Sequence, residues 1–299
     1  MKKFYGQNAK IYYWDRWIGL KNIIRRHQCV VLGNYIHHNM KNSGRCFTLN
    51  KEELSLTKAE LIKITDRIYY FSGEQETDRP YLYYIKGSDY SVAVDAGQSK
   101  EHVKEFYQAI LKEGMKLPKY TIITHWHWDH TFGLPYINGE SISSLLTKEQ
   151  LEEVANWKWT KTDMENRIKE GLDIEFTSEC IYKVYPDLSK IKIAIPDIVV
   201  NDEMSLELGD LQVKLYARDS IHSRDSLLVF VPEEKAIFVG DADCEDLYNN
   251  SEIKLDRLNA YRDYINQFDF ERYFIGHDLP DTKDGVNSCF VELETKARK

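Results

Sequence analysis

The sequence predicts a layered α/β fold in which sheets are covered by helices. After about residue 59, short segments rich in β-branched and aromatic residues recur along the chain, which is typical of strands. Segments with helical spacing of apolar residues lie between them, and the last helix is followed by one more strand. This order of strands and helices favours sheets with helices packed on their faces.

The predicted elements follow one another without a low-complexity linker or an internal repeat. Strands are expected at 62–71, 81–87, 90–97, 120–124, 195–200, 211–217, 226–232, 235–241 and 272–277, with a tight turn at 232–234. Helices are expected at 100–114, over 147–171 as one or two segments, and at 255–268. The simplest organisation is one catalytic domain, residues 59–299, preceded by an extension, residues 1–58.

The bulk composition predicts a soluble, cytoplasmic protein. Hydrophobic residues make up 42% and charged residues 29% of the 299 positions, which is enough for a sizeable core. No run reaches the roughly 18 apolar residues of a membrane span, and no secretory signal is recognisable. The five cysteines are scattered without a CxxC pair, which indicates reduced thiols and excludes a zinc finger.

The first 58 residues differ in charge from the rest of the chain. Residues 1–50 contain nine Lys or Arg and one acidic residue, which leaves 31 basic and 47 acidic residues beyond them. Residues 11–26 could form a basic amphipathic helix on a membrane or a partner, but an extension with little regular structure is favoured. The acidic body argues against general binding to nucleic acid, so a small-molecule substrate is expected.

The segment His125-Trp126-His127-Trp128-Asp129-His130 is the strongest chemical signal. It follows a short apolar strand, and two histidines two positions apart at a strand end project to the same side. Paired imidazoles suit a borderline cation such as zinc. Asp129 and His130 follow at a spacing that could serve a second cation.

This segment resembles the HxHxDH signature of the metallo-β-lactamase superfamily. The resemblance extends over about residues 60–280 and includes DAG at 95–97, whose aspartate usually supports the site. His222 in SIHSRDSLLVFVP, Asp241 in FVGDADC and His277 in YFIGHD match the later motifs, in the family's order. The fold that the resemblance implies is a four-layer αββα sandwich.

The resemblance also implies a site for two metal ions. His125, His127 and His222 would hold one cation, Asp129, His130 and His277 the other, and Asp241 would bridge both. Zinc is the first choice, and iron or manganese accept similar ligands. A hydroxide shared by the cations would attack an ester, lactone, amide or phosphodiester, with Asp129 orienting the nucleophile or carrying a proton.

Departures from the family pattern narrow the choice of reaction. Ile221 and Ser223 flank His222 where many relatives have glycines, and Asp241 stands where true β-lactamases have a cysteine or no bridge. Lactonases of the family place a tyrosine at the position of Cys244, and Tyr248 lies nearby. A nucleic-acid nuclease and a persulfide dioxygenase with one iron are the alternatives to hydrolysis of a small molecule.

The helical segment after the signature contains aromatic residues whose role the sequence leaves open. Trp157, Trp159 and Met164 could form a lid over the metal site, a dimer contact, or part of the packing of the helices. Trp126 and Trp128 occupy the variable positions of the signature. One of the two is expected to pack inward and the other to line the pocket.

Overall fold

The computed structural model describes residues 60–249 and 251–298. The predictions for residues 1–58, including the basic helix over 11–26, lie outside these residues. Among the residues described, no helix has the length and apolar character needed to cross a membrane.

Two sheets form the centre of the described chain. The first has seven strands in the order β1 to β7, and the second has five in the order β12, β11, β10, β9, β8. The strands are β1 Leu61–Lys63, β2 Ile68–Phe71, β3 Leu82–Lys86, β4 Ser91–Val94, β5 Tyr120–Ile122, β6 Glu140–Ser144, β7 Ile198–Val200, β8 Glu203–Glu207, β9 Gln212–Ala217, β10 Leu227–Val231, β11 Ala236–Gly240 and β12 Arg272–Ile275. Strands β4 to β7 run parallel, as do β11 and β12.

Seven α-helices are present in the part of the chain that the structure describes. They are α1 Lys100–Lys112, α2 Trp128–Thr131, α3 Leu145–Val154, α4 Lys161–Glu170, α5 Glu175–Val184, α6 Leu255–Ile265 and α7 Lys283–Ala297. Polar residues cap several of their amino ends: the side chain of Ser99 accepts a hydrogen bond from the His102 amide, and Thr282 does the same at α7. Helix α4 ends at Gly171, whose φ of 75° is the left-handed conformation that glycine adopts without strain.

The packing confirms the four-layer αββα sandwich. Inward-facing residues of both sheets, such as Ile85, Val94, Val229 and Phe238, form one apolar core between the sheets. The outer face of the second sheet packs on α6 and α7, and the outer face of the first sheet packs on α1. Each sheet is therefore buried on both faces, which explains why its central strands read as nearly continuous apolar runs.

Two sequence-based expectations need correction, and the choice between one and two helices over 147–171 is resolved. Residues 62–71 are not one strand: β1 and β2 pair antiparallel, because the Thr65 hydroxyl accepts the amides of Arg67 and Ile68 and closes a turn. The segment 147–171 forms two helices, α3 and α4, separated at 155–160. Helices α5 and α7 and strands β6 and β8 were not predicted. In β6, the polar sequence Glu-Ser-Ile-Ser-Ser forms a mostly buried strand.

Candidate metal centre

The histidine-rich segment lies at the end of β5 and forms one turn of helix. His125 comes three residues after the strand, and His127 is the residue at which helix α2 begins. The turn closes through the His130 amide, which donates to the His127 carbonyl over 3.1 Å. This short helix presents His127, Asp129 and His130 in different directions, so that one segment serves two groups of ligands.

The remaining candidate ligands come from the second sheet. His222 lies on the loop between β9 and β10, Asp241 follows β11 directly, and His277 comes two residues after β12. Strands β11 and β12 are parallel, so their carboxyl ends meet at one edge. The site is thus assembled at one edge of the sandwich from strand ends of both sheets.

Three imidazoles form the first group. His125 Nε2 lies 3.1 Å from His127 Nδ1, and His222 Nε2 lies 3.0 Å from the same nitrogen. All three side chains are buried, and one nitrogen from each lies within 4.8 Å of the others. Burial, with a further contribution from neighbouring imidazoles, lowers the pKa of His125 and of His127 well below the ordinary histidine value.

Two carboxylates and two imidazoles form the second group. Asp129 Oδ2 lies 3.0 Å from His130 Nε2 and 3.0 Å from His277 Nε2. Asp241 Oδ2 lies 3.3 Å from His277 Nε2 and 3.5 Å from His130 Nε2. The same Asp241 oxygen is 3.9 Å from His222 Nε2 of the first group, so it lies between the two.

Opposite charges dominate the electrostatics of the second group. Burial opposes the charged form of His130, but the Asp129 and Asp95 carboxylates raise its pKa well above the ordinary value. Burial likewise opposes the charged form of His277, and Asp241 raises its pKa. Burial works against the ionised form of Asp129 too, but His130 holds its pKa below the usual carboxylate range. The carboxylates are therefore ionised, as cation ligands must be.

Buried atoms without hydrogen-bond partners show that these residues fit metal ions. His130 Nε2 lies near the Asp129 carboxylate but outside hydrogen-bond geometry, and Asp241 Oδ1 is buried and has no hydrogen-bond partner. Gly276 leaves the space beside them open, since a Cβ there would lie 2.2 Å from Asp241 Oδ1 and 2.9 Å from His130 Cε1. The donor set is imidazole and carboxylate, which suits zinc, iron and manganese.

Outer partners orient most of the histidines through their second ring nitrogen. His130 Nδ1 lies 2.8 Å from Asp95 Oδ2, and Asp95 also accepts hydrogen bonds from the Thr124 amide and hydroxyl. The Thr124 hydroxyl lies 3.1 Å from His125 Nδ1, and His222 Nδ1 lies 2.8 Å from the Glu245 carbonyl oxygen. Such contacts fix ring orientation and tautomer in metal sites.

Asp78 adds a carboxylate at the exposed side of the second group. Its Oδ1 lies 3.6 Å from His277 Nδ1, and its backbone has a φ of 58°, which is uncommon outside glycine. Burial raises the pKa of Asp78 to about 7. No sequence signal pointed to this residue, because a left-handed aspartate leaves no trace in the local pattern.

An aromatic wall stands beside the first group. The Tyr248 ring stacks on His127 with centroids 4.8 Å apart, and Trp126 contacts both rings. The Tyr248 hydroxyl lies 3.4 Å from Thr177 Oγ1, and burial raises the pKa of the nearby Asp173 to about 6. Trp126 is thus the signature tryptophan at the site, while Trp128 is buried in the core of the helical segment.

The aromatic residues of the helical segment pack together inside the chain. Arg167 of α4 lies over the rings of Trp157 and Trp159, 4.5 and 4.8 Å from their centroids, and Met164 is fully buried. Packing of the helices, one of the three sequence-based interpretations, is therefore the role of the fully buried Met164. The dimer contact stays a prediction.

All seven residues proposed from the sequence as ligands meet at this edge. The structure places His125, His127 and His222 in one group and Asp129, His130, Asp241 and His277 in the other. Cys244 belongs to neither group. Sequence reasoning missed Asp78, Glu245 and the contact of Tyr248 with Thr177, all of which depend on contacts between distant segments.

Comparisons with known proteins agree on the fold. The family model described as the metallo-β-lactamase superfamily matches residues 78–277. A metallo-β-lactamase structure from Pontibacter korlensis is 17% identical with a TM-score of 0.58, and the match covers 79% of this chain and 99% of that one. The stereoselective inverting sec-alkylsulfatase Pisa1 from Pseudomonas sp. is 13% identical with a TM-score of 0.56, and the match covers 79% of this chain and 41% of that one. No curated protein sequence matches the chain.

Proposed function

Because this chain belongs to the metallo-β-lactamase superfamily, we propose that it is a hydrolase that uses two metal ions, with zinc preferred. The single observation that carries the proposal is the position of Asp241, one oxygen of which lies within 3.9 Å of histidines from both groups. A carboxylate between two complete sets of donors is suited to bridge two cations. The proposed substrate is a small ester, lactone, amide or phosphodiester.

The ligand residues have a simple role in this proposal. When bound, two cations supply Lewis acidity and lower the pKa of a water from 15.7 to about 7, which gives a nucleophile near neutral pH. His125, His127 and His222 would hold one cation, and Asp129, His130 and His277 would hold the other. Asp241, which lies between the two groups, would contribute to both.

Asp129 is proposed as the catalytic residue. Its carboxylate is buried and ionised, and one of its oxygens contacts both His130 and His277. These contacts fix its orientation at the reacting centre, where it aligns the attacking water and accepts its proton. The same carboxylate can then return the proton to the leaving group.

Metal content measured together with turnover tests the proposal. The purified protein is analysed for metals and assayed on a panel of ester, lactone, amide, phosphodiester and persulfide substrates. The expected result is two zinc ions per chain and hydrolysis of at least one substrate, lost on chelation and restored by zinc. One iron per chain with oxygen uptake on a persulfide would favour the oxidoreductase alternative, and cleavage of RNA or DNA abolished by EDTA would favour the nuclease.

Alanine variants test the assignment of the site. His127→Ala and Asp129→Ala should each lose metal and activity while the far-ultraviolet circular dichroism spectrum stays unchanged, because both residues lie on loops and a single helical turn. Full metal content in both variants would show that the cations bind elsewhere.

A further inference from the structure

The orientation of His222 depends on a backbone carbonyl. His222 Nδ1 donates to the Glu245 carbonyl oxygen over 2.8 Å, which leaves Nε2 to face His127 Nδ1 at 3.0 Å. The flanks of His222 carry Ile221 and Ser223 in place of the glycines of many relatives, so the loop must be held in another way. The contacts that hold the backbone of Glu245 in place therefore also fix the tautomer and the orientation of the His222 ring.

The side chain of Glu245 is held by the last helix. Its carboxylate is nearly inaccessible, with 5% of the side chain exposed, and it forms an ion pair with Lys296 of α7. A buried carboxylate that loses its cation is strongly unfavourable and moves toward water. The position of the Glu245 peptide, and with it the carbonyl that meets His222, is thus tied to Lys296.

Other contacts hold the neighbouring parts of the same loops. The amides of Ile221 and His222 donate to the Ala242 carbonyl, and Arg257 pairs with Asp219 and Asp246. These contacts join the loop of His222 to the loop of Asp241 on either side of Glu245. Loss of Lys296 would release the centre of the second loop while its ends stay attached.

We propose that Lys296 and Glu245 are positioning residues for His222, so that the carboxyl-terminal helix sets the affinity of the first ligand group for its cation. This inference rests on the proposed metal site. Neither side chain touches the cation, and both act through the Glu245 carbonyl. The second group, which receives no contact from Glu245 in the described residues, should keep its affinity.

Zinc affinity of three variants tests the proposal. Lys296→Met removes the partner of Glu245 and keeps the length of the side chain. Arg298→Met is the matched control, because the exposed Arg298 lies two residues away on the same stretch of chain and pairs with Glu294. Lys296→Arg restores the charge. Zinc is titrated into the metal-free proteins in competition with a chromophoric chelator.

The expected result is selective. Lys296→Met should bind one of the two zinc ions about 10–100-fold more weakly, the usual effect of losing an outer partner of a ligand. The other ion should be unaffected, Arg298→Met should match the wild type, and Lys296→Arg should recover most of the affinity. Unchanged affinity in Lys296→Met, or equal weakening of both ions, would overturn the proposal.

A second measurement does not need the metal. Nitrogen-15 spectra of the imidazoles in the zinc-free protein report the tautomer of His222, which should carry its proton on Nδ1 in the wild type and in Arg298→Met. In Lys296→Met a mixture of tautomers is expected, and an unchanged spectrum contradicts the proposal. If the wild type binds no zinc, the proposed function fails while this spectrum still tests the link. If Lys296→Met does not fold, Glu245→Gln takes its place. Glutamine is uncharged, so this variant leaves no buried charge without a partner at position 245, and it should show the same change of tautomer.

Discussion

The two ligand groups lie side by side yet differ in charge. The first consists of three imidazoles, two of which have pKa values far below the ordinary range because they are buried. The second combines two carboxylates with two imidazoles, and against the effect of burial these carboxylates raise the pKa of both His130 and His277. Without a cation His125 and His127 are neutral, whereas the second group balances its charges with protons.

The surroundings of the groups differ as well. The first group is backed by aromatic rings, with Tyr248 stacked on His127. The second is backed by further carboxylates, since Asp95 lies 2.8 Å from His130 Nδ1 and Asp78 lies 3.6 Å from His277 Nδ1. The difference indicates that packing against Tyr248 holds His127 in the first group, whereas neighbouring carboxylates hold the histidines of the second. Substitutions at the bridge, at a charged support and at an aromatic support should separate these contributions.

Replacement of the bridge should have the largest effect. Asp241→Ala removes the carboxylate that reaches both groups, so both zinc ions should weaken together. The loss should exceed the roughly 10–100-fold that an outer partner contributes, because Asp241 is itself a proposed ligand. Competition titration with zinc measures both affinities.

The exposed Asp256 of α6 provides the control for charge. Asp256→Ala makes the same change of charge away from the site and should bind zinc as the wild type does. Weakening of only one ion in Asp241→Ala would show that the carboxylate belongs to one group and bridges nothing.

Sequence reasoning reached the ligands through the resemblance to the family's motifs, each of which follows its own strand. The strand 120–124 leads into His125, and the strands that precede Asp241 and His277 are β-branched and aromatic runs with clear ends. Parallel strands bring their carboxyl ends to one edge of the sheet, so motifs at such ends meet there. The layered α/β class followed from the alternation of elements, and the four-layer αββα sandwich from the resemblance.

What the sequence left open depends on contacts between distant residues. Lys296 meets Glu245 across 51 positions, and Tyr248 meets Thr177 across 71. Strand β6 has a polar sequence, yet its serines are buried because each has a hydrogen-bond partner. The Ser141 hydroxyl donates to Asp197, and the Ser144 hydroxyl donates to the Asp225 carbonyl. Local periodicity does not reveal such partners. Sequence reasoning therefore found the ligands of the site but missed the residues that support them.

Replacement of the charged support of the second group should have an intermediate effect. Asp95→Asn keeps the shape of the side chain, and asparagine tolerates the φ of 64° found there. Loss of the charge beside His130 Nδ1 should weaken one zinc ion about 10–100-fold. The ion of the first group should be unaffected, and Asp197→Asn, at an exposed aspartate that accepts a hydrogen bond from Ser141, serves as the comparison. Equal weakening of both ions would show that the groups are not separable.

Removal of one oxygen from the aromatic wall should have the smallest effect. Tyr248→Phe keeps the ring on His127 and removes the hydroxyl that contacts Thr177. Because the packing on His127 is kept, the zinc affinity of the first group should change by no more than about twofold, while the free energy of unfolding should fall by about 1 kcal/mol for the lost hydrogen bond. Tyr248→Ala, which also removes the ring, should weaken the first ion further and leave the second unchanged. If Tyr248→Phe weakens zinc binding as much as Tyr248→Ala does, the hydroxyl and its contact with Thr177, not the stacked ring, hold His127 in place.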